Sequence, residues 1–191
     1  MLNESATDKT DEELVKLTLI DQDNFYFLVK RYQGKLLGYI RKISGLNPED
    51  AEDLLQEVFI KIYQNLAAFD AGMIFSSWIY RITHNLVISN YRRLKTKSKM
   101  EEFLFEPEQI NKLADDFNIN REMERAEERA VIYQAINSLD IKYKEVLILK
   151  YFENKDYREI SFILKKPLGT VGTLISRAKS NLKEQLIKKL K

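Results

Sequence analysis

Asp50, Asp53 and Glu57 recur at helical spacing, which would put three carboxylates on one side of a helix. Carboxylates so placed could ligate a metal ion or work as an acid/base pair. The rest of the chain gives them little to work with. His84 is the one histidine, there is no cysteine, and no glycine-rich phosphate loop occurs. A thiolate metal site is excluded, and a zinc site or a Ser-His triad has almost no material. Acidic residues in a first helical turn are explained more simply by the helix dipole. The expectation is no catalytic residue, no metal and no cofactor.

The chemistry that remains is binding. On a helix expected over 75–95, Tyr80, Arg81, His84, Ile88, Tyr91, Arg92 and Lys95 share one face. Phe75, Trp78, Ile79, Ile82 and Leu86 form the other, which reads as core. Rings interleaved with cations suit unstacked DNA, because rings stack on bases while Arg and Lys hold phosphates. Some of these rings could instead pack on a neighbouring helix. Near the C-terminus, Asp156–Leu182 reads as two helices joined by a tight turn. Asp156 and Glu159 make a capping box, Pro167 stops the first helix, Gly169 permits the turn and Thr170 can cap the second. Val171, Leu174, Ile175, Ala178 and Leu182 are its expected buried face. Thr173, Ser176, Arg177 and Ser180 oppose them, as on a helix-turn-helix that meets base edges.

Charge is segregated to match. From Ile141 onward there are 13 Lys and Arg against 5 Asp and Glu, whereas Glu101–Glu128 holds 10 acids against 3 bases. A basic module beside an acidic connector points to a phosphate-binding surface. With 45% hydrophobic residues, 3 prolines and 6 glycines, the 191-residue chain reads as mostly helical and able to pack a core. No apolar run approaches the roughly 20 residues that span a membrane. The opening MLNESATDKTDEE is polar and acidic, unlike a secretory signal. A cytoplasmic setting without stable membrane insertion is expected.

The elements that must hold these residues follow from periodicity and caps. Residues 1–10 are expected to be disordered, with helices over 11–20 and 22–43. Asn47 is a good cap and Pro48 suits a first helical position, so another helix should run to about Leu66. On it Leu54, Leu55, Val58, Phe59, Ile62 and Leu66 share one side, with Tyr63 at the edge. Asp53, Gln56, Glu57 and Gln64 share the other, and Ile60 stands among them as if on a docking surface. A short loop with Gly72 leads to the 75–95 helix. Residues 96–122 read as an acidic linker, and helices resume over 123–191 with breaks near Leu139 and Asn154.

In order and spacing these segments resemble the extracytoplasmic-function class of bacterial sigma factors, compact relatives within the sigma-70 family. DAEDLLQEVFIKIYQNLAAF resembles the family's polymerase-docking helix and FSSWIYRITHNLVISNYRR its −10 helix. LDIKYKEVLILKYFENKDYREISFILKKPLGTVGTLISRAKSNL resembles its −35 domain. The resemblance implies an all-α protein of two small helical domains, 11–95 and 123–191, joined by a flexible linker. It implies RNA polymerase core enzyme as partner through the β′ clamp and β flap, together with promoter DNA and an anti-sigma factor.

The resemblance also implies roles. Asp53, Gln56, Glu57 and Ile60 would bind core polymerase. Phe69, Asp70 and Met73, in the loop 68–74, would capture a flipped −10 base. Tyr80, Arg81, His84, Asn85, Ile88, Tyr91 and Arg92 would contact the −10 element. Thr170, Gly172, Thr173, Ser176, Arg177 and Ser180 would meet the −35 element. Gly172 stands where the family commonly has Lys or Arg, at a cost of about 1 kcal/mol in helix propensity against Ala. Leu174 stands for Arg, Ser89 for Asp, Asp140 for Pro (as a cap), and Lys165 for a turn Gly. The competing reading is a stand-alone dimeric helix-turn-helix regulator, which has less need of an aromatic and basic helix.

Overall fold

The computed structural model describes residues 8–94 and 126–189, and every described element is helical. The expectations for residues 1–7, for Lys95 and for the linker 96–122 lie outside the described residues. The chain divides into two compact units, Met1–Ser98 and Lys99–Lys191.

The first unit opens with Asp11–Ile20 (α1), a helix started by local chemistry. Thr10 Oγ1 accepts from the Glu13 N–H at 3.2 Å, and the Glu13 carboxylate accepts from the Thr10 N–H at 2.8 Å. A single turn of 3₁₀-helix at Gln22–Asn24 leads into Phe25–Ser44 (α2). Asp11 ties the two helices together. Arg31 donates to it at 2.7 Å and to the Lys9 carbonyl at 2.8 Å, and the Tyr32 hydroxyl donates to its other oxygen. Burial first, and then that bond to Asp11, push the Tyr32 phenol well above its ordinary pKa.

Gly45 ends α2 in the left-handed conformation, with φ 64°. Asn47 then caps Pro48–Asn65 (α3), accepting from the Asp50 N–H at 2.8 Å, with Pro48 in the first turn. The last described helix of the unit is Phe75–Leu94 (α4). Leu14, Leu36, Ile40, Val58, Ile62 and Phe75 meet in the core with almost no exposure. Each such side chain contributes about 1.5–3 kcal/mol of burial.

The second unit holds Ala126–Asn137 (α5), Ile141–Leu147 (α6), Tyr157–Leu164 (α7) and Leu168–Lys189 (α8). Between α6 and α7 the helix widens into a π turn, Ile148–Phe152, where the Glu153 N–H reaches back five residues to Ile148 at 3.0 Å. Widening lets Ile148, Leu149, Tyr151 and Phe152 all be buried together. Asp140 occupies the cap position of α6, but its side chain makes no cap hydrogen bond. It pairs with Lys142 at 3.6 Å instead.

Asp156 and Glu159 form the expected capping box on α7, both bonds being present at 2.8 and 2.9 Å. The turn that follows is made at Lys165, where the resemblance places a turn glycine, and not at Gly169. Lys165, with φ 52°, carries the left-handed residue, because the Lys166 N–H must reach back to the Ser161 carbonyl at 3.1 Å. Once the chain has turned there, α8 begins at Leu168. Gly169 and Thr170 therefore lie inside its first turn, and Thr170 is not the cap. Val171, Ile175, Ala178, Leu182 and Leu186 form the buried side of α8, with Leu174 half-buried beside them.

Candidate docking and nucleic-acid interfaces

On α3 the two faces separate as the sequence suggests. Leu54, Val58, Ile62 and Leu66 are buried, whereas Asp53, Gln56, Glu57 and Gln64 are exposed. Ile60 is 56% exposed in their midst, a large apolar side chain left in water beside two carboxylates. Asp50, Asp53 and Glu57 line a cleft of about 260 Å³ together with Leu46, Leu54 and, from α4, Asn90 and Arg93. Among the described residues no three His, Cys, Asp or Glu side chains converge as metal ligands. What this face offers is acidic, amide and apolar surface in one strip, suited to a protein partner with complementary charge.

The face expected on α4 is turned by roughly a quarter of the helix circumference. Phe75, Ser77, Ile79, Tyr80, Thr83, His84 and Val87 are the buried residues, while Trp78, Ile82 and Leu86 are only half-buried. Tyr80 and His84 are therefore not part of an outward surface. The cause is pairing across the unit. His84 Nδ1 lies 3.0 Å from the Tyr39 hydroxyl, and the Tyr39 and Tyr80 rings meet edge-on at 5.2 Å. Thr83 satisfies its buried hydroxyl on the Ile79 carbonyl at 2.8 Å.

The side turned away from the core is instead Arg81, Asn85, Ile88 and Arg92, spaced four, three and four apart and so aligned along the helix, with Asn85 and Arg92 exposed and Arg81 and Ile88 half-buried. Tyr91 flanks this line and is half-buried. His84→Phe, which keeps the ring volume but not the nitrogen, should cost the first unit about 1 kcal/mol. Affinity for single-stranded DNA should stay at the wild-type level. Urea unfolding and a binding titration check this, and unchanged stability with weakened DNA binding would return His84 to the surface.

The loop before α4 is organised from within. Phe69, Phe75 and Trp78 form an aromatic cluster, with centroids 5.2–5.7 Å apart, so Phe69 supports the loop from below. Asp70 accepts from the Gly72 N–H at 2.9 Å, and a Cβ on Gly72 would sit 3.3 Å from that carboxylate. The close approach that Gly72 permits is thus to Asp70. Asp70 and Ile74 are exposed and Met73 is half-buried, leaving a small polar and apolar rim.

On α8, Thr170, Thr173, Ser176, Arg177 and Ser180 all stand in water. Thr173 and Ser180 spend their hydroxyl protons on carbonyls one turn back, at 2.9 and 3.3 Å, which leaves their oxygens as acceptors. Gly172 is half-buried, and a Cβ there would lie 3.9 Å from the Tyr157 ring. Tyr157, with Lys150 Nζ 5.4 Å from its centroid, fills the surface beside Gly172. Sequence reasoning passed over Tyr157. Its position in the first turn of α7, three residues before the buried Ile160, was the available signal.

Two family models match the chain: Sigma-70 region 2 over residues 28–97, and Sigma-70, region 4 over residues 129–182. The ECF RNA polymerase sigma factor SigW of Bacillus subtilis is 35% identical over 175 residues, covering 87% of this chain and 90% of that protein. The RNA polymerase sigma-H factor of Pseudomonas aeruginosa is 31% identical, covering 94% and 95%. Among solved structures, CnrH in complex with the cytosolic domain of CnrY aligns with a TM-score of 0.67 at 23% identity, over 93% of this chain and 97% of that one. The sigma factor RpoE of Bartonella quintana, in complex with the anti-sigma factor NepR, aligns with a TM-score of 0.64 at 20% identity, over 85% and 96%. At those identities the two structures speak for the fold.

Proposed function

Since this chain belongs to the extracytoplasmic-function class of the sigma-70 family, we propose that its three exposed surfaces divide promoter binding and opening among them. The protein is an RNA polymerase sigma factor, acting with core enzyme on promoter DNA in transcription initiation. That relationship displaces the dimeric regulator as a reading.

In this division Asp53, Gln56, Glu57 and Ile60 dock on the β′ clamp, and the second unit meets the β flap. Arg81, Asn85, Ile88 and Arg92 hold the separated −10 strand, with Tyr91 beside them. Asp70 and Met73 form the rim that receives a flipped base. Phe69, Tyr80 and His84 hold that surface from beneath. Thr170, Thr173, Ser176, Arg177 and Ser180 enter the major groove at −35, where Gly172 contributes backbone only.

Residues 11–95 and 123–191 are the corresponding functional domains, with 96–122 as the linker. The observation that carries this reading is α4 itself. One side is buried, and on the other a half-buried arginine and isoleucine alternate in line with an exposed asparagine and arginine. Binding energy rather than hydrolysis drives opening, so the protein has no enzymatic activity of its own. The complex of the Bartonella relative with NepR supports an anti-sigma partner here also. No described helix is long and apolar enough to cross a membrane, consistent with a cytoplasmic site of action.

In vitro transcription with core polymerase and genomic DNA, with and without this protein, tests the reading, since an absence of new start sites would remove it. Arg177→Ala refines it. This is the one guanidinium in the exposed run from Thr170 to Ser180, so its loss should cost about 1–3 kcal/mol and relax preference at one −35 position. Equal loss on every promoter would make Arg177 a phosphate contact instead.

A further inference from the structure

The turn between α7 and α8 is three residues long, and its middle residue is held from two sides. Lys166 donates its N–H to the Ser161 carbonyl at 3.1 Å and accepts the Ser161 hydroxyl on its own carbonyl at 2.6 Å. Those bonds fix it to α7. Its ammonium lies 3.6 Å from Oε1 of Glu145 on α6, a carboxylate whose side chain is only 7% exposed. A buried carboxylate has lost most of its water and holds a cation with correspondingly more force than a surface one does. Lys165 on one side is left-handed and Pro167 on the other has a fixed φ, so the turn has little freedom to absorb a displaced Lys166.

We infer that Lys166, gripped by Glu145, is a positioning residue for promoter recognition: it sets the angle at which the recognition helix leaves the turn. The inference rests on reading the exposed face of α8 as the −35 surface. Leverage gives the pair its importance. Arg177 lies nine residues beyond the start of α8, about 13 Å along the axis, so a tilt of about 5° at the turn moves it by about 1 Å. A hydrogen bond to a base edge does not survive such a shift.

Neither residue touches the groove face, and no local pattern marks them. One lies in α6 and the other in the turn, 21 positions apart in sequence. The competing role for Lys166, whose side chain is 33% exposed, is a direct phosphate contact. The two roles differ in what Glu145 does, because a phosphate contact has no need of it.

The test compares holoenzyme binding to a promoter with binding to the same promoter carrying a scrambled −35 element. Glu145→Gln and Lys166→Gln should each lower the ratio of the two affinities about tenfold. The double variant should do no worse than either single one, and Lys166→Arg should restore most of the ratio. Helicity should be retained in Lys166→Gln, whose side chain is partly in water. A uniform loss on both templates in Lys166→Gln, with Glu145→Gln unchanged, would overturn the inference in favour of a phosphate contact. Unchanged ratios in both variants would overturn it as well. Arg177→Ala is the control on the underlying reading. If it too leaves the ratio intact, the −35 assignment of α8 fails, whereas loss in Arg177→Ala alone overturns only the positioning role.

Discussion

Gln56→Ala combined with Glu57→Lys is expected to weaken binding to core polymerase by more than tenfold, about 1.4 kcal/mol or more, with helicity unchanged. Both side chains are exposed on α3, opposite the buried row of Leu54, Val58 and Ile62. Exposed substitutions of this kind usually alter folding by no more than about 0.5 kcal/mol. The effect on docking is larger because charge reversal acts twice. It removes a carboxylate from the acidic strip and places a cation against a partner surface complementary to anions, and such like-charge juxtaposition costs several kcal/mol. Gln64→Ala, further along the same exposed side, should change little. A pull-down with core enzyme and circular dichroism make the measurement. Wild-type affinity in the double variant would mean that polymerase docks elsewhere.

The second large effect concerns a residue with no place on either surface. Lys144 on α6 is 4% exposed, and burial lowers its pKa from 10.5 to about 8. Between those values the unfolded chain carries a proton on this lysine that the folded chain has released, so stability rises with pH across that window. Below about pH 8 both states are protonated and the whole cost of the buried ammonium is present. At 1.36 kcal/mol per pKa unit, that cost is on the order of 3 kcal/mol.

Lys144→Met should therefore stabilise the second unit at pH 7. It should also remove the part of the pH 8–10.5 rise that distinguishes wild type from variant. Trp78 is the one tryptophan and lies in the first unit. A thermal transition seen by circular dichroism but not by its emission therefore reports on the second unit. No gain in that transition at pH 7, or a wild-type-minus-variant difference that stays flat between pH 8 and 10.5, would exclude a buried charged Lys144.

These outcomes also mark where the sequence was informative. The faces of α3 were legible because aliphatic and acidic residues alternate there at helical period, with nothing buried that is polar. On α4 the same reasoning turned the helix by a quarter. Trp78 looked like the anchor of the core, while Tyr80 and His84 looked like surface. Both are buried because partners meet them, and the partner of His84 is Tyr39, 45 residues away. No window of local pattern contains that pair. The capping box of α7 was legible for the opposite reason, since both of its members lie within one turn. Lys165 was recognisable as a left-handed position, but the start of α8 was not. It depends on the Ser161–Lys166 bonds and on Glu145, a carboxylate buried in α6 and 21 positions from the lysine it meets.

The π turn at Ile148–Phe152 has a consequence for how this chain can change over generations. A π turn is an α-helix carrying one residue more than its hydrogen-bond ladder needs. Deleting one residue there would restore an ordinary ladder at little local cost. Because the extra residue is taken up within that one wide turn, the deletion would leave everything downstream close to its present register. A deletion in the ordinary ladder of α6 would instead rotate it by about 100° about the helix axis, and the capping box, the turn and the recognition helix would rotate with it. A lineage carrying this turn can exchange side chains freely on the exposed face of α8, tuning its promoters one base at a time. Outside the π turn, it cannot lose a residue of α6 without re-aiming the whole reading head.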